Sequence, residues 1–172
     1  MTEYVALLRG VNVGGVTVRS ADLKALFAES GFADARTYLA SGNVRFSADG
    51  EGRALKTDLE RALAERFGYD AWIVLVTLAE MRAALDAFPF DASDEARQPY
   101  VVFCADPAVR EELLASAEPS DEDPIAPGPG VVYWTPPKGS SVDTAFAKQL
   151  AKPRWKAVTT TRNLRTVAKI CA

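Results

Sequence analysis

The chain is 172 residues long and 48% apolar, carries a net charge of −3 and contains no histidine. The apolar share excludes disorder, and the length suits one compact body or two halves of about 80 residues, each near the lower limit for a self-sufficient core. Missing histidine removes the commonest general base, the Ser-His and Cys-His nucleophile pairs and the commonest transition-metal ligand; two distant cysteines, Cys104 and Cys171, make neither a disulfide framework nor a zinc site.

Glu3 stands where a signal peptide needs basic residues, and the apolar run Tyr4–Leu8 is cut at Arg9. The expectation is a chain with no membrane segment, at home in a reducing cytoplasm. Tyr4–Leu8 reads as a strand, followed by a glycine-rich stretch and a helix that Ser20 caps, with Leu23, Leu26 and Phe27 on one face. Arg36–Ala40 and Asn43–Ser47 read as a hairpin split at Ser41-Gly42. A second helix places Leu55, Leu59 and Leu63 at i, i+4 and i+8, with a Lys56/Glu60 pair, and stops at Gly68 before a strand at Ala71–Val76. Thr77 and Glu80 form a capping box for a connecting helix that closes before Pro89.

The order of elements then repeats. Tyr100–Ala105 is a strand, and Asp106-Pro107 caps and opens a helix. A short strand is expected near Ile125, and Pro127-Gly128-Pro129-Gly130 turns the chain into Val131–Thr135. Ser141 is expected to cap a helix through Leu150, Lys156–Thr160 to form the last strand, and a terminal helix to follow. The fold expected is α+β: two ferredoxin-like βαββαβ halves with antiparallel sheets and an extra C-terminal helix. Residues 1–76 form the first half with its glycine-rich loop, 77–99 a connecting helix and linker, and 100–172 the second half with the C-terminal helix. The runs Val5–Leu8 and Trp72–Val76 do not alternate with polar residues, which implies that both sheet faces are covered.

Three stretches carry a family resemblance. They are Leu7-Leu8-Arg9-Gly10-Val11-Asn12-Val13-Gly14-Gly15, Thr37-Tyr38-Leu39-Ala40-Ser41-Gly42-Asn43-Val44-Arg45-Phe46 and Thr160-Thr161-Arg162-Asn163-Leu164-Arg165-Thr166-Val167. Together the chain resembles the domain-of-unknown-function family 1697. It departs from that pattern at Val16-Thr17-Val18-Arg19, where the family carries lysine, and at Leu164-Arg165 in place of Trp-Asn. The resemblance implies no activity, because the family has none to lend.

In a βαββαβ sheet of order 4-1-3-2, the end of strand one lies beside the start of strand three and the start of the first helix. That topology gathers Arg9, Asn12, Gly14, Gly15, Ser41 and Asn43 at one sheet end, as a candidate small-anion site. Glycines admit close approach, and a guanidinium offers a bidentate fork. The site requires Arg9 and Asn43 within about 12 Å of one another. An architectural reading stands beside it: Arg9 satisfying loop carbonyls, and Asn43 filling a positive-φ turn position. The spacing of Gly10–Gly15 is neither a dinucleotide fingerprint nor a P-loop.

Charge is spread unevenly. Residues 86–137 hold two basic and eleven acidic side chains, and residues 138–172 hold eight basic and one acidic. Arg162, Arg165 and Lys169 read as a basic stripe on the terminal helix, a second candidate patch. The leading expectation is a small-molecule or anion-binding protein. Alternatives are an interaction or homo-oligomerising module, and RNA or single-strand binding through the basic segment. Nucleic acid is the weaker of these partners, since strand three lacks the RNA-recognition signature. No cofactor or metal is expected, and the absence of a catalytic motif turns the expectation away from an enzyme.

Overall fold

A computed structural model describes residues 1–11, 15–39 and 42–172. It divides into two compact units, Met1–Met81 with Lys169–Ala172, and Arg82–Ala168. Each contains a four-stranded antiparallel sheet with helices, a mixed α+β arrangement consistent with two ferredoxin-like halves.

The first unit is built from β1 (Thr2–Arg9), α1 (Ser20–Glu29), β2 (Arg36–Thr37), β3 (Asn43–Ala48), α2 (Gly52–Phe67) and β4 (Trp72–Thr77), with sheet order β2-β3-β1-β4. Alternate residues of β1 separate the faces. Tyr4, Ala6 and Leu8 join Leu23, Leu26, Phe27, Phe46, Leu59, Leu63 and Ile73 in one core. Val5 and Leu7, pointing the other way, are buried as well, as the unbroken apolar run implied. Local chemistry sets the helix ends. The Lys56 ammonium meets Glu60 at 2.7 Å, one turn along α2, and Gly68 closes that helix at φ +67, a left-handed cap that glycine adopts without a Cβ penalty. After β4, Thr77 N–H donates to Glu80 (2.8 Å) and Glu80 N–H to Thr77 Oγ1 (3.1 Å), the expected capping box of α3 (Leu78–Asp86).

Two expectations change here. Ser20 is the first residue of α1 rather than its cap; Arg19 holds the cap position without a side-chain bond. Strand β2 is only two residues long, because Leu39 turns to φ +57 and leaves the ladder.

The second unit holds β5 (Tyr100–Cys104), α4 (Pro107–Ser116), β6 (Ile125–Gly128), β7 (Val131–Trp134), α5 (Ala145–Leu150), α6 (Pro153–Lys156) and β8 (Thr159–Asn163), with sheet order β6-β7-β5-β8. Its core gathers Val102, Cys104, Leu113, Val132, Trp134, Phe146, Leu150 and Trp155. Asp106 caps α4 by accepting from Val109 N–H at 2.9 Å. Buried Asp123 accepts from Trp134 Nε1 (2.6 Å) and Phe146 N–H (2.9 Å), tying the acidic loop to the core.

The late elements differ from expectation. Thr144, not Ser141, caps α5, its Oγ1 accepting from Ala147 N–H at 3.1 Å. Pro153 then opens a separate short helix, α6, since proline suits a first helical turn. The last strand therefore starts at Thr159 and runs to Asn163, and the terminal helix α7 (Leu164–Cys171) begins only after Asn163 Oδ1 accepts from Arg165 N–H at 2.9 Å.

Candidate functional site at the end of the first sheet

Strand β1 delivers Arg9 to the sheet end expected for it. Its register partner on β4 is Trp72, and the preceding same-face residue, Leu7, pairs with Asn43 on β3. Arg9 and Asn43 are thus diagonal cross-strand neighbours on one face, a relation that puts their Cα atoms about 7–8 Å apart. That satisfies the reach condition. Gly15 adopts φ +86, and no atom of the described residues comes within 4 Å of where a Cβ would stand. Asn12, Gly14 and Ser41 lie outside the described residues.

The two polar residues brought together have different surroundings. Asn43 is buried, and its Nδ2 donates to Tyr38 O at 3.1 Å while Tyr38 N–H donates to Asn43 O at 3.0 Å. Its amide thus closes the turn, although the left-handed backbone falls on Leu39 rather than on Asn43. Arg9 is partly buried, and no hydrogen bond or ion pair engages its guanidinium among the described residues. Burial alone lowers its pKa from the usual arginine value.

The contrast with other arginines is sharp. Arg45, Arg97, Arg110 and Arg162 are also partly buried. Arg45 meets Glu3, Arg97 meets Thr135 O, Arg110 meets Gly128 O, and Arg162 meets Thr160 Oγ1. Of this set, Arg9 alone has no partner among the described residues.

Three residues that the sequence reading passed over sit at this end. Trp72 directly faces Arg9 across the strands and is 38% exposed, against 3% and 2% for Trp134 and Trp155. Tyr69 packs beneath Gly10, whose φ is +77; its buried hydroxyl has no partner among the described residues, and burial raises its pKa. Leu39 is 50% exposed and, among the described residues, is the non-glycine residue with positive φ. The signal for Trp72 was available: antiparallel pairing of β1 with β4 puts the start of one strand opposite the end of the other. Nothing in the sequence marks Tyr69 or Leu39.

The basic segment is not one helical stripe. Arg162 lies in β8, with Nη1 donating to Thr160 Oγ1 (2.7 Å) and Thr161 O (3.0 Å). Arg165 stands in the first turn of α7, and Lys169 in its last. Arg165 instead lines a cleft of about 780 Å³ in the second unit, together with Asp94, Gln98, Lys138 and Asn163. Trp155 is core, with the Arg154 guanidinium 4.5 Å from its ring centre. Among the described residues, no group of three His, Cys, Asp or Glu side chains is placed to hold a metal ion, and no helix is long and apolar enough to cross a membrane.

A family model described as "Protein of unknown function (DUF1697)" matches residues 1–133. Among solved structures, the chain is similar to a conserved bacterial protein from Streptococcus pneumoniae, with 26% identity and a TM-score of 0.82, over 99% of this chain and 97% of that one. No curated protein matches.

Proposed function

The chain belongs to the DUF1697 family of proteins of unknown function, and from that premise we propose that it binds a small anion at the Arg9 end of the first sheet. One observation carries the reading: Arg9 is the partly buried arginine without a partner among the described residues. Taking a charge out of water is costly unless it is paired. A guanidinium cannot escape that cost by losing its proton at neutral pH. A carboxylate or phosphate arriving in its fork would supply two charge-assisted hydrogen bonds and repay the desolvation. Gly10 and Gly15, both at positive φ, leave backbone that a ligand can approach closely.

The same proposal assigns the protein to the cytoplasm. Support comes from Cys104 and Cys171, both buried and neither in a disulfide, the state expected where thiols stay reduced.

Thermal shift and calorimetry with inorganic phosphate, acetate and nucleotides test the reading, run on the parent and on Arg9→Ala. An anion at about 100 times its dissociation constant adds about 2.7 kcal/mol of stability, and Arg9→Ala abolishes that gain. Without ligand, Arg9→Ala is expected to match or exceed the parent in stability, because it removes an uncompensated charge. A parent that responds to none of the anions, or an unliganded Arg9→Ala weakened by more than about 2 kcal/mol, overturns the proposal and makes Arg9 architectural.

A further inference from the structure

We infer that the anion taken at Arg9 is carried on a planar aromatic ring, close to the charged group, and that the ring stacks on Trp72. The inference rests on the reading of Arg9 as an anion site and adds the class of molecule. Trp72 and Arg9 are Cα partners in the β1–β4 ladder, so their side chains leave the sheet on the same face. Directly opposed residues have Cβ atoms about 4.5–5.5 Å apart. The guanidinium and the indole are therefore carried on adjacent positions of one face.

The indole is free to take a ring. Trp72 is 38% exposed, while the next same-face pair inward, Leu7 and Val74, is buried at 0% and 4%. The buried face thus ends at this pair. No aromatic ring or cation stacks on Trp72 among the described residues; the arginine–tryptophan contact found there is Arg154 on Trp155. A large aromatic surface left in water beside a cation that has no partner among the described residues suits a ligand that needs both. Leu39, 50% exposed at the same sheet end, adds apolar surface. Its left-handed backbone, φ +57, is a conformation that costs energy outside glycine and concentrates at functional sites.

The spacing narrows the class further. The two side chains spring from Cβ atoms about 5 Å apart, so a ligand that engages both has its oxyanion and its aromatic system separated by only a few bonds. Arylacetates and aryl phosphates have that geometry. In a nucleotide the sugar sets phosphate and base farther apart.

Matched pairs of probes test the inference: acetate against phenylacetate, and methyl phosphate against phenyl phosphate, with adenosine monophosphate as the long-tethered arm. Affinities come from calorimetry. Because Trp134 and Trp155 are buried, quenching of tryptophan fluorescence by a soluble quencher reports on Trp72. The expected result is that each aryl probe binds the parent about tenfold tighter than its aliphatic partner and shields Trp72 from quenching. In Trp72→Leu the ratio falls toward one while the aliphatic probe binds as before; Trp72→Phe keeps most of the preference, and Arg9→Ala loses both members of each pair. Equal affinity within each pair, or a preference unchanged in Trp72→Leu, overturns the aromatic assignment, and adenosine monophosphate outbinding phenyl phosphate overturns the short tether, while the anion site stands. Failure of every probe to bind the parent overturns the anion site and the assignment together.

Discussion

Cys104 closes β5 with its thiol in the core of the second unit, 7% exposed, and burial pushes its pKa up to about 12; nearby Arg110 pulls it down and Asp106 pushes it up, both by less. In the unfolded chain a thiol ionises near 8.5. As pH rises, the unfolded state therefore loses its proton first and becomes favoured. Stability that this group contributes is fully present below the unfolded value and declines between about pH 8.5 and pH 12, by about 1.4 kcal/mol for each unit traversed. The buried hydroxyls of Tyr69 and Tyr133, both raised by burial, act with the same sign, so the measurement must be a difference. Urea unfolding at pH 8 and pH 10.5 should show the parent losing more stability than Cys104→Ala. Parallel losses in the two proteins would mean that the thiol ionises in place. At pH 8 the folded protein should also react slowly with iodoacetamide at Cys104.

At the scale of elements, the β6–β7 hairpin shows how glycine and proline act through position. The ladder pairs Gly128 with Val131, leaving Pro129 and Gly130 at the two central turn positions. Gly130 adopts φ +73, as a type II turn with proline before it requires. Pro127 is tolerated because β6 is an edge strand. Gly128 answers a different need: a Cβ there would overlap the ring edge and hydroxyl of Tyr133, which donates to Ala84 O at 2.6 Å. Gly128→Ala should therefore cost about 1–3 kcal/mol or more through overpacking. At Gly130 a Cβ meets nothing within 4 Å, so Gly130→Ala should cost only the left-handed backbone penalty of about 1–2 kcal/mol. Chemical denaturation ranks the two, and Tyr133→Leu combined with Gly128→Ala should recover part of the first loss. The turn itself was legible in the sequence because Pro-Gly chemistry is local, and so were the Thr77–Glu80 box and the Asp106 cap. What was not legible depended on choices between near-equals: Thr144 over Ser141 as the cap of α5, Pro153 opening α6 where a strand was expected to begin, and Leu39 ending β2 early. The candidate site divides in the same way. Topology placed Arg9 beside Asn43, whereas the lack of a partner for Arg9 among the described residues and the exposure of Trp72 are properties of the finished packing.

At the scale of the whole molecule, charge and connectivity meet at Arg45. Its Nε and Nη2 donate to Glu3 Oε1 at 3.1 and 2.9 Å, and its Nη1 donates to Ile170 O at 3.0 Å and Ala172 O at 3.2 Å. The nearer of those carbonyls belongs to a residue 125 positions along the chain, a separation that no local pattern announces. This clamp helps to place Lys169–Ala172 in the first unit although the residues before them belong to the second. The acidic middle and basic end are joined more loosely: Arg154 meets Glu112 at 2.9 Å, but both side chains are largely exposed, and such pairs contribute at most about 1 kcal/mol and fade with salt. Most of the charge asymmetry is therefore expected to leave stability nearly independent of ionic strength. The Arg45 clamp is different, because the arginine is 16% exposed and its hydrogen bonds are charge-assisted. Arg45→Met, which keeps the apolar stem, should cost about 1.5–3 kcal/mol. Hydrogen exchange identifies where the loss falls. Amides of 169–172 and of the β1–β3 ladder should exchange faster in Arg45→Met, while those of Val101–Phe103 in the β5 ladder keep their protection. If protection falls equally in both ladders, the two units open together and Arg45 clamps the chain as one cooperative body; if it falls in neither, the bonds from Arg45 to Ile170 and Ala172 contribute nothing to holding the chain end.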